Sequence, residues 1–178
     1  MPKTPLKTQT AAPKKQPLPP KNANNGLTEL LVAGLRELYW AENHLVLNLP
    51  KIQEAAGNTR LRKIVADHWK VTRGHVKRLE QALTILGESP LAQKCHGMEG
   101  LVMEGEGIID TTKPGSDARL TGLIMACQKV ETYEITAYKG LALLATQLDH
   151  EDIANLLQAT MAEEQEADDT LAQLAQQH

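Results

Sequence analysis

The chain predicts an all-α fold, and three observations predict it. Leu and Ala are abundant, Phe is absent and β-branched residues are sparse, a composition of helix formers. Four long segments carry apolar residues in alternating steps of three and four, the spacing of a single buried helix stripe. The breaks between them are short after the first and third segments and long and glycine-rich after the second. Two helical hairpins joined by a crossover make a four-helix bundle.

Residues 1–26 precede that pattern. Pro2, Pro5, Pro13, Pro17, Pro19 and Pro20 stand among Lys, Thr, Gln and Asn, so amide donors are missing and little apolar surface is available to bury. A disordered, partly polyproline-like basic arm is expected for residues 1–26, and the bundle for 27–178. The first helix is expected from about Leu27 to Ala56, with Gly57 as its stop and a bend or break at Pro50. Asn58 or Thr59 should cap the second helix, which should end near Gly87. Residues 87–96 read as a loop. The apolar run from Cys95 to Asp110, interrupted by Gly97, Gly100, Gly105 and Gly107, predicts a short helix or two crossing between the hairpins. Lys113-Pro-Gly-Ser is a turn, and Ser116 or Asp117 should cap the third helix. Asp149 should cap the fourth, with Glu151 and Asp152 in its first turn, where the helix dipole favours acids. Such connectivity is ferritin-like: each hairpin is closed tightly and the crossover carries a short helical piece.

With 178 residues, 42% hydrophobic and 23% charged, the chain is long enough for one domain with a substantial core. No run approaches the ~18 apolar residues that span a bilayer. No apolar secretory segment opens the chain. Cys95 and Cys127 form neither a CxxC nor a zinc spacing, and two such thiols suit a reducing compartment, so a cytoplasmic protein is expected. Residues 1–26 hold five lysines and no acid, leaving 14 basic and 22 acidic residues in the rest, a balance of −8. The arm has neither aromatics nor an Arg cluster, so contact with nucleic acid is expected to be at most weak and non-specific.

The chemistry lies in the stripes. The third segment reads Leu120, Ile124, Cys127, Glu131, Glu134, Tyr138, Leu141, Ala145, Leu148, with glutamates at its two central positions. The first reads Leu31, Leu35, Leu38, Glu42, Leu45, Leu49. The second reads Leu61, Val65, His68, Thr72, His75, Leu79, Ala82, Leu86. The fourth reads Ile153, Leu157, Thr160, Glu164, Ala167, Leu171, Leu174, with Asp168 one turn past Glu164. A carboxylate on a core stripe is costly unless it is paired, hydrogen-bonded or bound to a metal. All four stripes turn polar near the middle, mostly with metal-ligand types. Glu42, His68, His75, Glu131, Glu134, Glu164 and Asp168 are therefore the candidate ligands. Hard carboxylates with one or two imidazoles suit iron or manganese, one or two ions. Bundles that hold two such ions use a lone Glu from each of two helices and a Glu-x-x-His from each of the others. Glu42 and Glu131 fit the lone acids. Glu164 lacks its histidine, since position 167 is Ala, and Asp168 is the nearest replacement. The residues three before His68 and His75 are Val65 and Thr72, so the second helix offers imidazoles without a bridging acid.

Five phrases carry a resemblance: Leu38-Tyr-Trp-Ala-Glu42, His75-Val-Lys-Arg-Leu79, Met98-Glu-Gly-Leu101, Lys129-Val-Glu-Thr-Tyr-Glu134-Ile-Thr-Ala-Tyr138 and Glu163-Glu164-Gln-Glu-Ala-Asp168. From Leu30 to the C-terminus the chain resembles the YciE/YciF family, ferritin-like bacterial proteins associated with stress. The resemblance implies a ferritin-like four-helix fold, a homodimer and a di-metal centre. Members commonly carry acids where this chain has Lys70 and Val71, a departure that bears on whether two ions can be held. Oxidase or peroxide-consuming activity is one expectation. The alternative is a non-enzymatic bundle with a degenerate site, its acids paired with His68 and His75, acting through protein contacts. Tyr133, Tyr138 and Cys127 read as packing residues, and Lys70 and Arg73 as a solvated face.

Overall fold

The computed structural model describes residues 25–177. The basic arm, with the nucleic-acid contact expected of it, lies outside the described residues except for Asn25 and Gly26, which open the first helix. The helices are α1 (Asn25–Ala55), α2 (Thr59–Ile85), α3 (His96–Thr111), α4 (Asp117–Gln147) and α5 (Glu151–Ala175). Among the described residues no helix is long and apolar enough to cross a membrane. Helix α1 packs on α2, α2 on α5, α5 on α4 and α4 on α1, closing an all-α bundle of ferritin-like type. The crossover α3 is a single helix lying outside this ring against α1 and α4.

The local chemistry explains the boundaries. Asn58 caps α2, its side chain accepting from the amides of Arg60 and Leu61, and Ser116 caps α4 by accepting from Arg119. The thiol of Cys95 takes the same part for α3, accepting from the Met98 amide. One expectation fails here, and of the bend or break expected at Pro50 the break does not occur. Asp149 does not cap α5: it adopts a left-handed conformation, φ 60°, that turns the chain between α4 and α5. The cap position falls to His150, which makes no side-chain capping bond. Nor does Pro50 break α1, which runs helical through it. Proline there removes the amide that would bond to the Val46 carbonyl. The indole Nε1 of Trp69 on α2 donates to that carbonyl instead, at 2.9 Å.

The apolar core is divided in two. Leu31, Leu35, Leu79, Leu83, Ala145, Ile153 and Leu157 fill one half of the bundle. Leu45, Leu61, Val65, Met98, Leu123, Ile124, Leu171 and Leu174 fill the other. A polar layer separates them.

Candidate metal centre

That layer is built by the same helical spacing that built the stripes. Glu42 from α1, His68, Thr72 and His75 from α2, Glu131 and Glu134 from α4, and Thr160 and Glu164 from α5 are all buried. Two groups of ligand atoms form, His68, Glu131, Glu134 and Glu164 in one and Glu42, His75 and Glu164 in the other. Within each group the atoms lie within 4.8 Å of one another. A nitrogen or oxygen ligand stands about 2.0–2.6 Å from a divalent ion, so ligands on opposite sides of one ion lie within roughly 5 Å. Glu164 belongs to both groups and offers each a different oxygen. Its Oε2 faces His68 Nε2 at 3.7 Å, and its Oε1 faces His75 Nδ1 at 2.9 Å. Glu131 Oε1 is 3.6 Å from His68 Nε2, and Glu42 Oε1 is 3.4 Å from His75 Nδ1.

Close as they are, these groups do not satisfy one another. Glu42 Oε2, His75 Nδ1, Glu131 Oε2 and both oxygens of Glu134 and Glu164 are buried without an aligned hydrogen-bond partner. The 2.9 Å approach of His75 to Glu164 is thus a charge contact rather than a directed bond. Orphaned buried polar atoms are rare in folded proteins, and here they converge. Burial, with Glu164 as the strongest added negative charge for Glu131 and Glu42 for Glu134, pushes both carboxyls well above the usual carboxylate range. Burial likewise raises Glu42, although His75 opposes it. Burial would also raise Glu164, but His75 and His68 outweigh it and hold that carboxyl low. Burial lowers His68. It would lower His75 too, yet Glu164 and Glu42 raise that imidazole to about 10. The layer therefore holds protons where a cation could stand, and binding a cation would release them.

One feature escaped the stripe reading. His75 Nε2 lies 2.8 Å from Glu163 Oε2, and both oxygens of Glu163 are gripped by Arg78 at 2.7 Å. Nε2–H donating to Glu163 turns Nδ1 toward Glu42 and Glu164, so that an ion displacing the Nδ1 proton would find that nitrogen already aimed, the arrangement that orients metal-bound histidines. The available signal was the His75-x-x-Arg78 spacing opposite an acid pair on α5. Tyr138 donates to Glu42 Oε1. Thr72, where a motif glutamate would stand, is buried and spends its hydroxyl on the His68 carbonyl at 3.0 Å.

Asp168 is not brought into either group. It is half-buried, and its Oδ1 accepts from Gln128 at 3.1 Å. Lys70 pairs with Asp67 in solvent, and Arg73 stacks over Trp69 at 4.9 Å, so neither cation enters the layer. Val71 lines a groove of about 430 Å³ between α2 and α5 that ends on His68, with Arg60, Lys63, Asp67 and Glu166 around it.

The profile of a domain of unknown function, DUF892, matches residues 26–178. The chain belongs to the DUF892 family. It is 36% identical over 152 residues to Protein YciF of Escherichia coli strain K12, covering 84% of this chain and 90% of that protein. The crystal structure of the E. coli stress protein YciF matches with a TM-score of 0.78 over 84% of this chain and 94% of that one. The YcfI protein of Rhodopseudomonas palustris matches with the same TM-score of 0.78 at 30% identity, over 85% of this chain and 96% of that one. A Xanthomonas campestris protein at 16% identity, TM-score 0.66, over 84% of this chain and 90% of that one, shares the fold. In this DUF892 chain the donors that converge are carboxylates and imidazoles, and no thiol belongs to either group. That donor set fits iron or manganese.

Proposed function

We propose that the protein is a ferritin-like stress protein that holds iron or manganese ions between the two halves of its core. The observation that carries this reading is Glu164, whose two oxygens face two different histidines while neither has an aligned partner. His68, Glu131, Glu134 and Glu164 would hold one ion, and Glu42, His75 and Glu164 a second. Such ions supply one-electron chemistry toward dioxygen or peroxide, the basis for an oxidase or peroxide-consuming activity. The chain's own contributions are separable from that. Glu163 and Arg78 hold the proton on His75 Nε2, Tyr138 steadies Glu42, and the flanking Leu and Ile side chains exclude water. The association with stress comes from the description of the E. coli relative. A cytoplasmic homodimer is the setting in which we place it.

The test is metal content. Full-length protein is loaded anaerobically with Fe(II) or Mn(II), desalted and assayed by elemental analysis. Two ions per chain are expected, falling sharply in Glu164→Ala. Protein that stays folded and retains no ion overturns the reading.

A second reading has an observation of its own. His75 sits between Glu164 and Glu163 and can serve as the counter-ion of the acid layer. In that case the bundle is non-enzymatic and acts through protein contacts, and its stability is indifferent to metal.

A further inference from the structure

The polar layer is approached from two sides of unlike character. One is the groove between α2 and α5, lined by charged residues and ending on His68. The other is a pocket of about 30 Å³ between α1, α3 and α4, walled by Leu45, Ile52, Val102, Ala126 and Val130 and reaching Glu131. We propose that this pocket binds a small nonpolar gas and admits dioxygen to the Glu131 side of the centre.

Size and polarity both point to that occupant. A void of roughly 10–15 Å³ suffices for one water, so this pocket takes a diatomic molecule and excludes an organic substrate. Water would need two to four polar partners to stay. The pocket offers few. The Asn48 amide nitrogen is turned to its own helix, donating to the His44 carbonyl at 2.8 Å. Cys127 is a weak hydrogen-bonding group, so the Asn48 amide oxygen and Glu131 are the strong polar groups in an otherwise apolar lining. Apolar spaces of this size take up nonpolar guests such as xenon.

The sequence keeps the pocket open through Gly105. A Cβ at that position would stand 3.5 Å from Ile52 Cδ1 and 3.8 Å from Ala126 Cβ, in ordinary contact. Alanine is therefore accommodated, and the branches of valine fill the space. Charged or strongly hydrated reactants have the α2–α5 groove instead.

Delivery to metal rests on the proposed function; gas binding by the pocket does not. The test accordingly uses metal-free, methyl-labelled protein under oxygen pressure, read by paramagnetic relaxation of methyl protons. The methyls of Leu45, Val102 and Val130 are expected to relax severalfold faster than those of Leu35, Leu79 and Leu157, which are buried in the other half of the core. Gly105→Val is expected to remove the excess, and Gly105→Ala to reduce it. Xenon added to wild-type protein should compete the excess away, which keeps the test independent of how well the variants fold. Equal relaxation in both halves, or an excess that xenon leaves untouched, overturns the proposal. Either result leaves the metal reading standing, and absence of bound metal leaves the gas site standing.

Discussion

Glu163 stands 2.8 Å from the nitrogen of His75 that faces away from the polar layer, and Arg78 holds that carboxylate by both oxygens. The imidazole is oriented before any ion arrives. Removing such a support typically weakens metal binding by roughly 10–100-fold while leaving the ligands in place. Glu163→Gln and Arg78→Ala should each lower Fe(II) or Mn(II) affinity in that range, measured by competition with a chelating dye. Unchanged affinity in both variants would remove the orienting role.

The metal-free protein should lose stability as pH rises. His75 is raised from 6.5 to about 10 because Glu164 and Glu42 favour its charged form more than burial disfavours it. Between those values the folded state holds a proton that the unfolded chain has released, so the stability His75 contributes is full below about pH 6.5 and is lost toward pH 10. Glu131 and Glu134, raised by burial, act in the same sense above the ordinary carboxylate value of 4.5. Melting curves across this range should show the decline, and His75→Gln should flatten it. Because ions displace these protons, metal affinity should instead increase with pH. A melting temperature that climbs from pH 7 to 9 without metal would contradict the assignment.

The centre is held at a cost to the bare fold. Both oxygens of Glu134 are buried without partners. An unsatisfied buried polar group costs about 1–3 kcal/mol, a cost that an apolar side chain of similar volume avoids. Glu134→Leu should therefore raise the urea midpoint of metal-free protein while abolishing any gain in stability on adding Fe(II) or Mn(II). A lowered midpoint would show that Glu134 supports the fold rather than a ligand.

Trp69→Phe tests how α1 tolerates Pro50. An aromatic ring is kept, though smaller than the indole, and the donor to the Val46 carbonyl is lost. An unsatisfied buried polar group costs about 1–3 kcal/mol, so chemical denaturation should register a loss of that order. A neutral substitution would mean that the carbonyl finds water instead.

Much of this site was legible because helical periodicity is rigid. Glu42, His68, His75, Glu131, Glu134 and Glu164 each occupied a stripe position, and each is buried in the central layer. What periodicity could not supply is what happens beside the stripe. Glu163 lies next to Glu164 in sequence but projects to the flank, where only the approach of α2 brings it to His75 and Arg78. Asp168 stands outside both groups for the converse reason. One turn of four residues rotates a helix about 40° past full circle, enough to aim this acid at Gln128 on α4. The fate of Pro50 was hidden for a similar cause, since its rescue comes from an indole on another helix. Asp149 suits a cap by residue type, but the short α4–α5 connection requires a left-handed residue at that point.

The split core has a mechanical meaning. Each half is a nearly complete apolar cluster, and what joins them is a waist of acids and imidazoles whose cohesion depends on protons or ions. A bundle made this way has a natural line of fracture across its middle rather than along its helices. Bound ions would act there as rivets, so that amide exchange in the two ends becomes coupled when they are present and independent when they are stripped.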